Sequence, residues 1–139
     1  NITFMQMSGE DLSEFEDGYF DFVMTSIFLH ELSSRSLPKI IREAYRVLSK
    51  GGVMLHLEQP QYTDQMPVYE QFIRDWDCYN NNEPFWSAMH EIDLVNLLNE
   101  VGFSDKDISH ASLKASGANL ENEEHGRAPA WHAYVAKKT

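Results

Sequence analysis

Cysteine is almost absent from this chain of 139 residues, since Cys78 is the only one, so no disulfide bond can form within it. A chain without disulfides is typical of a reducing compartment, and we therefore expect a cytoplasmic protein. The six histidines include no pair at H-x-x-x-H spacing and no other pattern of known metal ligands. The sequence accordingly predicts no metal site.

Basic residues are also scarce, because 11 Lys and Arg stand against 22 Asp and Glu and give a formal net charge of -11. Binding to a nucleic-acid backbone requires a basic surface, so the composition argues against nucleic acid as a partner. No apolar run approaches the roughly 20 residues of a membrane-spanning helix, so no membrane partner is expected. The apolar content of 42% suffices for one modest core, and we expect a single domain over residues 1–139.

The stretch of residues 17–60 organises the rest of the chain, because it reads as strand, helix, strand. Residues 19–26 are aromatic and β-branched with few charges, which is typical of a buried parallel strand. Apolar residues then recur at helical spacing from Leu37 to Leu48, and Gly51-Gly52 is expected to end that helix. Residues 53–57 form the second apolar run, so the pattern predicts a right-handed βαβ unit.

Weaker patterns predict the remaining elements. Asp93 is the expected N-cap of the last helix and Gly102 its end, and the polar residues 114–129 are expected to form a loop. The alternation of strands and helices predicts an α/β fold. The further predicted strands are residues 2–7, 108–113 and 131–136, and the further predicted helices are residues 67–79 and 94–101.

One ordered set of residues gives the chain a family resemblance. The set comprises a DGxFD strand start, LHE after that strand, and RVLxKGG before the next strand: Asp17, Gly18, Phe20, Asp21, Leu29, His30, Glu31, Arg46, Val47, Leu48, Lys50, Gly51 and Gly52. This order resembles the C-terminal half of class I S-adenosylmethionine-dependent methyltransferases, in particular those described as methyltransferase types 11 and 12. With the elements before and after it, the resemblance covers nearly the whole chain.

The resemblance implies a partial Rossmann-like methyltransferase sheet with a family strand order of 3-2-1-4-5-7-6. This chain would supply strands 3 to 7, with residues 131–136 as the antiparallel last strand inserted between the two before it. It also implies S-adenosylmethionine as cofactor and methyl transfer, but leaves the acceptor open. The aromatic residues of the segment 59–90 and the acidity of the chain favour a small-molecule acceptor. Residues 60–90 fall where relatives place a substrate lid.

The glycine-rich cofactor loop of that family is missing, since none of the seven glycines forms G-x-G. Its ribose-binding acid is missing too, because the second strand is absent. We therefore expect the isolated chain to bind S-adenosylmethionine weakly or not at all, and to be inactive without an N-terminal half. The alternative is a non-catalytic, methyltransferase-like remnant that dimerises or binds a partner through an exposed strand edge.

That edge belongs to residues 19–26, which would normally lie beside the family's first strand. An uncovered apolar edge invites pairing. Residues 2–7 of the same chain could fill it, a second chain could supply those residues, or two copies could meet edge to edge. We expect a homodimer by one of the last two routes, or pairing with the missing N-terminal half.

Two groups of residues are candidates for cofactor binding. Ser8, Gly9 and Glu10 occupy the position of the family's adenine loop, although many relatives carry aspartate where Ser8 stands, and a plain polar turn is the alternative. The second group follows the expected strand at residues 19–26, where ligands of open α/β sheets bind. It consists of Thr25, Ser26 and Ile27.

Candidates for catalysis and substrate binding lie further along. His30 would be a general base, or half of a structural pair with Glu31; Glu58 would orient a substrate group, or be a solvated carboxylate at a strand end. The expected acceptor-binding residues are Glu31, Tyr62, Trp76, Trp86 and His90. For the aromatic residues of the lid, ordinary core packing is the alternative.

Overall fold

The structure, a computed structural model, describes residues 2–59, 66–113 and 131–139. The predicted loop at residues 114–129 and the candidate substrate residue Tyr62 lie outside this part of the chain. Short 3-10 turns lie at Leu29–Glu31 and Asp105–Asp107. The strands are β1 (Phe20–Ser26), β2 (Leu48–Glu58), β3 (Ile108–Leu113) and β4 (Trp131–Lys137), and the α-helices are α1 (Leu37–Val47), α2 (Val68–Asn80), α3 (Trp86–His90) and α4 (Leu94–Val101).

The four strands form one mixed sheet in the order β1-β2-β4-β3. β1 and β2 are parallel, with Val23 opposite Met54. β4 is antiparallel to both of its neighbours and pairs Val135 with Leu55 of β2. The predicted parallel pair and the predicted insertion of the last strand beside β2 are therefore confirmed.

The core lies on one face of this sheet, beneath α1 and α4. The helical spacing of Leu37, Ile41 and Ala44 places them on the buried side of α1. Alternate residues of β2 point to the same face, because side chains of a strand alternate. This buried set includes two polar residues, His56 and Glu58, next to Met54.

No helix within residues 2–59, 66–113 and 131–139 is both long enough and apolar enough to cross a bilayer. The predicted helix at residues 94–101 is confirmed as α4, and the backbone N–H of Asn96 donates to Asp93 Oδ1 at 2.9 Å as an N-cap requires. The predicted helix at residues 67–79 is α2, shifted by one residue at each end.

The prediction of a strand at residues 2–7 is wrong, because these residues adopt no regular structure and do not pair with β1. Ile2 and Phe4 are 84% and 93% exposed. In the strand order that the resemblance implies, the family's third strand pairs with its second, and residues 2–59, 66–113 and 131–139 include no counterpart of that second strand. Of the three ways to cover the β1 edge, pairing with residues 2–7 of the same chain is therefore absent.

The prediction that Gly51-Gly52 ends α1 is also wrong. The helix ends at Val47, and β2 begins at Leu48 and runs through both glycines. The pairing of β1 with β2 is irregular between Phe20 and Phe22, so the glycines lie beside a break in register. Gly51 has a φ of +84, which accounts for glycine at this position.

Gly102→Ala is expected to lower the free energy of unfolding by about 2 to 4 kcal/mol, combining backbone strain with overpacking. Gly102 has a φ of +124, and an added Cβ would lie 2.7 Å from Tyr45 Oη. Gly51→Ala is the matched control, because φ is also positive there but no atom lies within 4 Å. The control should lose only about 1 to 2 kcal/mol in urea denaturation. Equal losses would mean that Tyr45 moves aside freely.

Candidate functional site

The carboxyl ends of β1 and β2 lie side by side, with Ser26 opposite Leu57. Ligands of open α/β sheets bind beyond such ends, in the crevice formed by the loops that follow. Here Ile27 begins the loop after β1 with a φ of +50, an unfavourable conformation for a β-branched residue. Backbone strain of this kind is concentrated at functional sites.

Glu58 holds that loop against the end of β2. Its side chain is fully buried, and Oε2 accepts hydrogen bonds from the backbone N–H groups of Phe28 at 3.1 Å and Leu29 at 2.8 Å. Oε1 accepts from the N–H of Gln59 at 2.9 Å and from His30 Nδ1 at 2.8 Å. The alternative of a solvated strand-end carboxylate is therefore wrong, since four donors surround a buried group.

His30 is the side chain that Glu58 orients. Because an ionised carboxylate only accepts hydrogen bonds, Nδ1 carries the proton and Nε2 faces the other way. Nε2 lies 3.5 Å from Glu31 Oε1. The His30 side chain is only 6% exposed, so its ring is held in one direction. In the neutral ring, this arrangement directs the lone pair of Nε2 toward Glu31.

Two of the predicted lid residues meet this histidine. Trp86 of α3 stacks on His30 with ring centroids 5.0 Å apart, and His90 lies 6.2 Å from Trp86 and is buried. The indole N–H of Trp86 is buried and finds no acceptor within the described ranges. Trp76 of α2 is 55% exposed, and among the described residues no ring contact joins it to His30 or Trp86.

Glu83 completes this end of the site, and no sequence pattern had pointed to it. It lies in the turn between α2 and α3, where its N–H donates to the carbonyl of Cys78 at 3.0 Å. Donor atoms of His30, Glu31 and Glu83 all lie within 4.8 Å of one another. One nitrogen and two carboxylates within that distance are a possible set of metal ligands.

The first group of candidate cofactor residues packs on the start of α1. Ser8 Oγ accepts from the N–H of Glu10 at 3.2 Å, and Lys39 Nζ donates to Glu10 Oε2 at 2.6 Å. The hydrogen bond from Lys39 holds the pKa of the Glu10 carboxyl below its ordinary value. Gly9 lies against Ile40, since an added Cβ would come within 3.5 Å of that side chain.

The second group lies at the end of β1, and its members differ in burial. The Thr25 hydroxyl of β1 is hydrogen-bonded to Nδ1 of His56, its partner on the neighbouring strand β2, at 2.6 Å. Ser26 and Ile27 are exposed. His56 itself was not among the predicted site residues, although a polar residue at an inward position of an apolar strand is a signal for a special environment. Burial lowers its pKa to about 4.

Taken together, the strand order, the antiparallel last strand and the loop site beyond β1 and β2 define the class I S-adenosylmethionine-dependent methyltransferase fold. A SAM-dependent methyltransferase from Archaeoglobus fulgidus shares it with a TM-score of 0.63 at 19% identity, over 96% of this chain and 66% of that one. The chain is similar to this class of methyltransferases, and the family described as "Methyltransferase domain" matches residues 1–56.

Two curated relatives carry the same similarity. An uncharacterized methyltransferase from Synechocystis is 34% identical over 104 residues, which are 73% of this chain and 46% of that protein. The mitochondrial 2-methoxy-6-polyprenyl-1,4-benzoquinol methylase of Leishmania donovani is 43% identical over 63 residues, which are 45% of this chain and 21% of that protein. The chain thus spans less than half the length of either relative.

Proposed function

We propose that this chain is the acceptor-binding half of a methyltransferase domain that transfers a methyl group from S-adenosylmethionine to a small-molecule acceptor. The observation that carries the proposal is the buried Glu58–His30 pair, whose Nδ1–Oε1 distance of 2.8 Å fixes Nε2 toward Glu31. A pair of this kind prepares a base for an acceptor whose proton must leave. Glu58 acts as a positioning residue, since its oxygens are already occupied.

The chain's own residues would act on the acceptor by orientation and proton removal. S-adenosylmethionine, when bound, supplies an already activated methyl group, so positioning and exclusion of water are the main tasks left to the protein. His30 Nε2 takes the proton of an acceptor hydroxyl, and the indole of Trp86, which stacks on His30, forms the apolar wall beside it. Residues 60–90 remain our candidate for the lid.

The cofactor residues present here fit only one side of the cofactor. The exposed Ser26 and the strained Ile27 stand at the correct end of the sheet for it. Ser8, Gly9 and Glu10 would meet the adenine, as the resemblance implies. The glycine loop and the ribose-binding acid have no counterpart in this chain, so the remaining contacts would come from a segment that also pairs with the free edge of β1.

The second candidate function is a partner-binding remnant that dimerises through β1. Its support is that β1 is an edge strand of the described sheet and that Phe22 and Met24 are 53% and 50% exposed. Exposed apolar side chains on an unpaired edge favour pairing with another chain. A homodimer and a missing N-terminal half compete for the same surface, so one experiment can separate them.

The expected result for the cofactor is that S-adenosylhomocysteine binds the 139-residue chain at least about a hundredfold more weakly than it binds a longer chain that includes the sequence encoded upstream of Asn1. Calorimetric titration measures both affinities, and light scattering over a dilution series measures the oligomeric state. The methyltransferase proposal fails if the longer chain binds no more tightly. A dimer of the shorter chain with no gain in the longer one would favour the remnant.

A further inference from the structure

A histidine and two glutamates of the site meet although they are distant in sequence. His30 and Glu31 belong to the 3-10 turn after β1, and Glu83 belongs to the turn before α3. Their ligand atoms lie within 4.8 Å of one another, and His30 Nε2 stands 3.5 Å from Glu31 Oε1. In a tetrahedral site with bonds of about 2.0 to 2.2 Å, donor atoms stand about 3.3 Å apart. The distance of 3.5 Å between His30 Nε2 and Glu31 Oε1 is already close to that spacing.

The surroundings of His30 match those of a metal ligand. A histidine that binds a metal usually donates its other ring N–H to a carboxylate, which fixes the ring and raises the basicity of the free nitrogen. Glu58 does this at Nδ1 with a distance of 2.8 Å, from a carboxylate that is itself held by three backbone N–H groups. The stacked indole of Trp86 provides the apolar wall that such sites also have.

The side chains of Glu31 and Glu83, unlike that of Glu58, can change conformation because they reach solvent. The Glu31 side chain is 55% exposed, and Glu83 is half-buried. Their backbones are nevertheless fixed, since Glu31 N–H donates to the carbonyl of Phe28 at 3.1 Å and Glu83 N–H to that of Cys78 at 3.0 Å. Closing the remaining gap to Glu83 would therefore take side-chain rotation only.

We propose that His30 Nε2, Glu31 and Glu83 bind one divalent transition-metal ion, with Zn²⁺ as the best fit. One imidazole and two carboxylates suit Zn²⁺ better than Mg²⁺, which prefers an octahedron of oxygens. Three protein ligands leave the fourth tetrahedral position open, as in catalytic zinc sites. The ion would join the loop after β1 to the turn that begins α3.

The open position gives the ion a role that rests on the proposed function. An acceptor hydroxyl bound there would lose its proton to water more readily, because a bound metal ion lowers the pKa of its oxygen ligand. With the ion bound, His30 would serve as its ligand and the metal would activate the acceptor; without the ion, Nε2 would take the proton itself, as the proposed function has it. Metal binding itself needs neither acceptor nor cofactor, so it can be tested separately from methyl transfer.

The test uses the full 139-residue chain after removal of metals with EDTA. Zn²⁺ is titrated in competition with a chromophoric chelator, for the wild type and for the double variant Glu31→Gln/Glu83→Gln. Both glutamates reach solvent, so the double variant should fold, and circular dichroism checks this. We expect its affinity to fall at least about a hundredfold, at about tenfold or more for each ligand lost.

The control variants are Glu14→Gln, an exposed acid elsewhere, and His110→Asn/His132→Asn, which removes two histidines whose ring nitrogens lie 2.6 Å apart on β3 and β4. Neither should weaken Zn²⁺ binding. Zinc-edge X-ray absorption should show one imidazole and two carboxylates at about 2.0 to 2.2 Å. Equal affinity of the wild type and the double variant, loss of binding in the histidine control, or a sulfur ligand from Cys78 would each overturn the proposal.

Discussion

Replacing Glu58 by glutamine is expected to lower the free energy of unfolding by about 2 to 6 kcal/mol, because two buried donors would lose their acceptor. The carboxylate has no exposed surface and accepts four hydrogen bonds. A glutamine amide has the same shape but turns one acceptor oxygen into a donor. Two N–H groups would then face another donor, and each unsatisfied buried group costs about 1 to 3 kcal/mol.

Urea denaturation measures this loss, and hydrogen exchange localises it. The amides of Phe28, Leu29 and Gln59 donate to Glu58 and should exchange faster in the variant, while those of α4 should change only with global stability. Glu100→Gln is the matched control, since Glu100 is an exposed acceptor for Asn96 Nδ2. Its effect should stay within about 0.5 kcal/mol. A Glu58→Gln loss below that of the control would show that other contacts hold the loop.

Sequence patterns predicted those parts of the fold whose partners are encoded nearby. The helix between β1 and β2 brings the two parallel strands together, so their pairing could be predicted from apolar runs alone. Residues 2–7 carry a similar alternation yet form no strand, because alternation does not reveal whether a neighbouring strand exists. The helix end predicted at the glycines of β2 was wrong for a related reason. A glycine with positive φ can occur at a break in strand register as well as at a helix end.

The same distinction between nearby and distant partners applies to the residues of the site. His30 and Glu58 could be selected singly, as polar residues at the ends of apolar strands, and their hydrogen bond depends on the register of β1 against β2. Glu83 lies in a polar turn of ordinary composition, and only packing of α3 against the loop brings it to His30. Residue type and local pattern cannot encode that approach. His30 as a base and Trp76 as a substrate contact stay predictions.

His56 was predictable in principle, because it interrupts the apolar pattern on the buried face of β2. It is 1% exposed, its Nδ1 is hydrogen-bonded to Thr25, and its Nε2 finds no partner among the described residues. An imidazolium there would be a buried charge without a counterion, and burial accordingly lowers the pKa of His56 to about 4. The folded protein therefore holds this ring neutral.

Stability is expected to fall by about 3 kcal/mol between pH 6.5 and pH 4 through His56 alone, at about 1.4 kcal/mol per pH unit. The reference pKa of this histidine is 6.5 and the folded pKa about 4, so in that window the unfolded chain binds a proton that the folded chain does not. The stabilisation is complete above pH 6.5 and is lost as pH falls toward the folded pKa. Carboxylates and His132 also titrate at the acidic end, so the slope of the wild type alone does not isolate His56.

The variant His56→Asn isolates it, because asparagine keeps a buried polar group but does not titrate. Urea denaturation of both proteins at pH 7.5 and pH 4.5 should show the advantage of the wild type shrinking by about 2 to 3 kcal/mol at the lower pH. Thr25→Val is the companion variant, which keeps the histidine and removes its hydroxyl partner, and its pH dependence should follow that of the wild type. A difference between wild type and His56→Asn that stays constant with pH would mean that His56 is protonated normally in the folded chain.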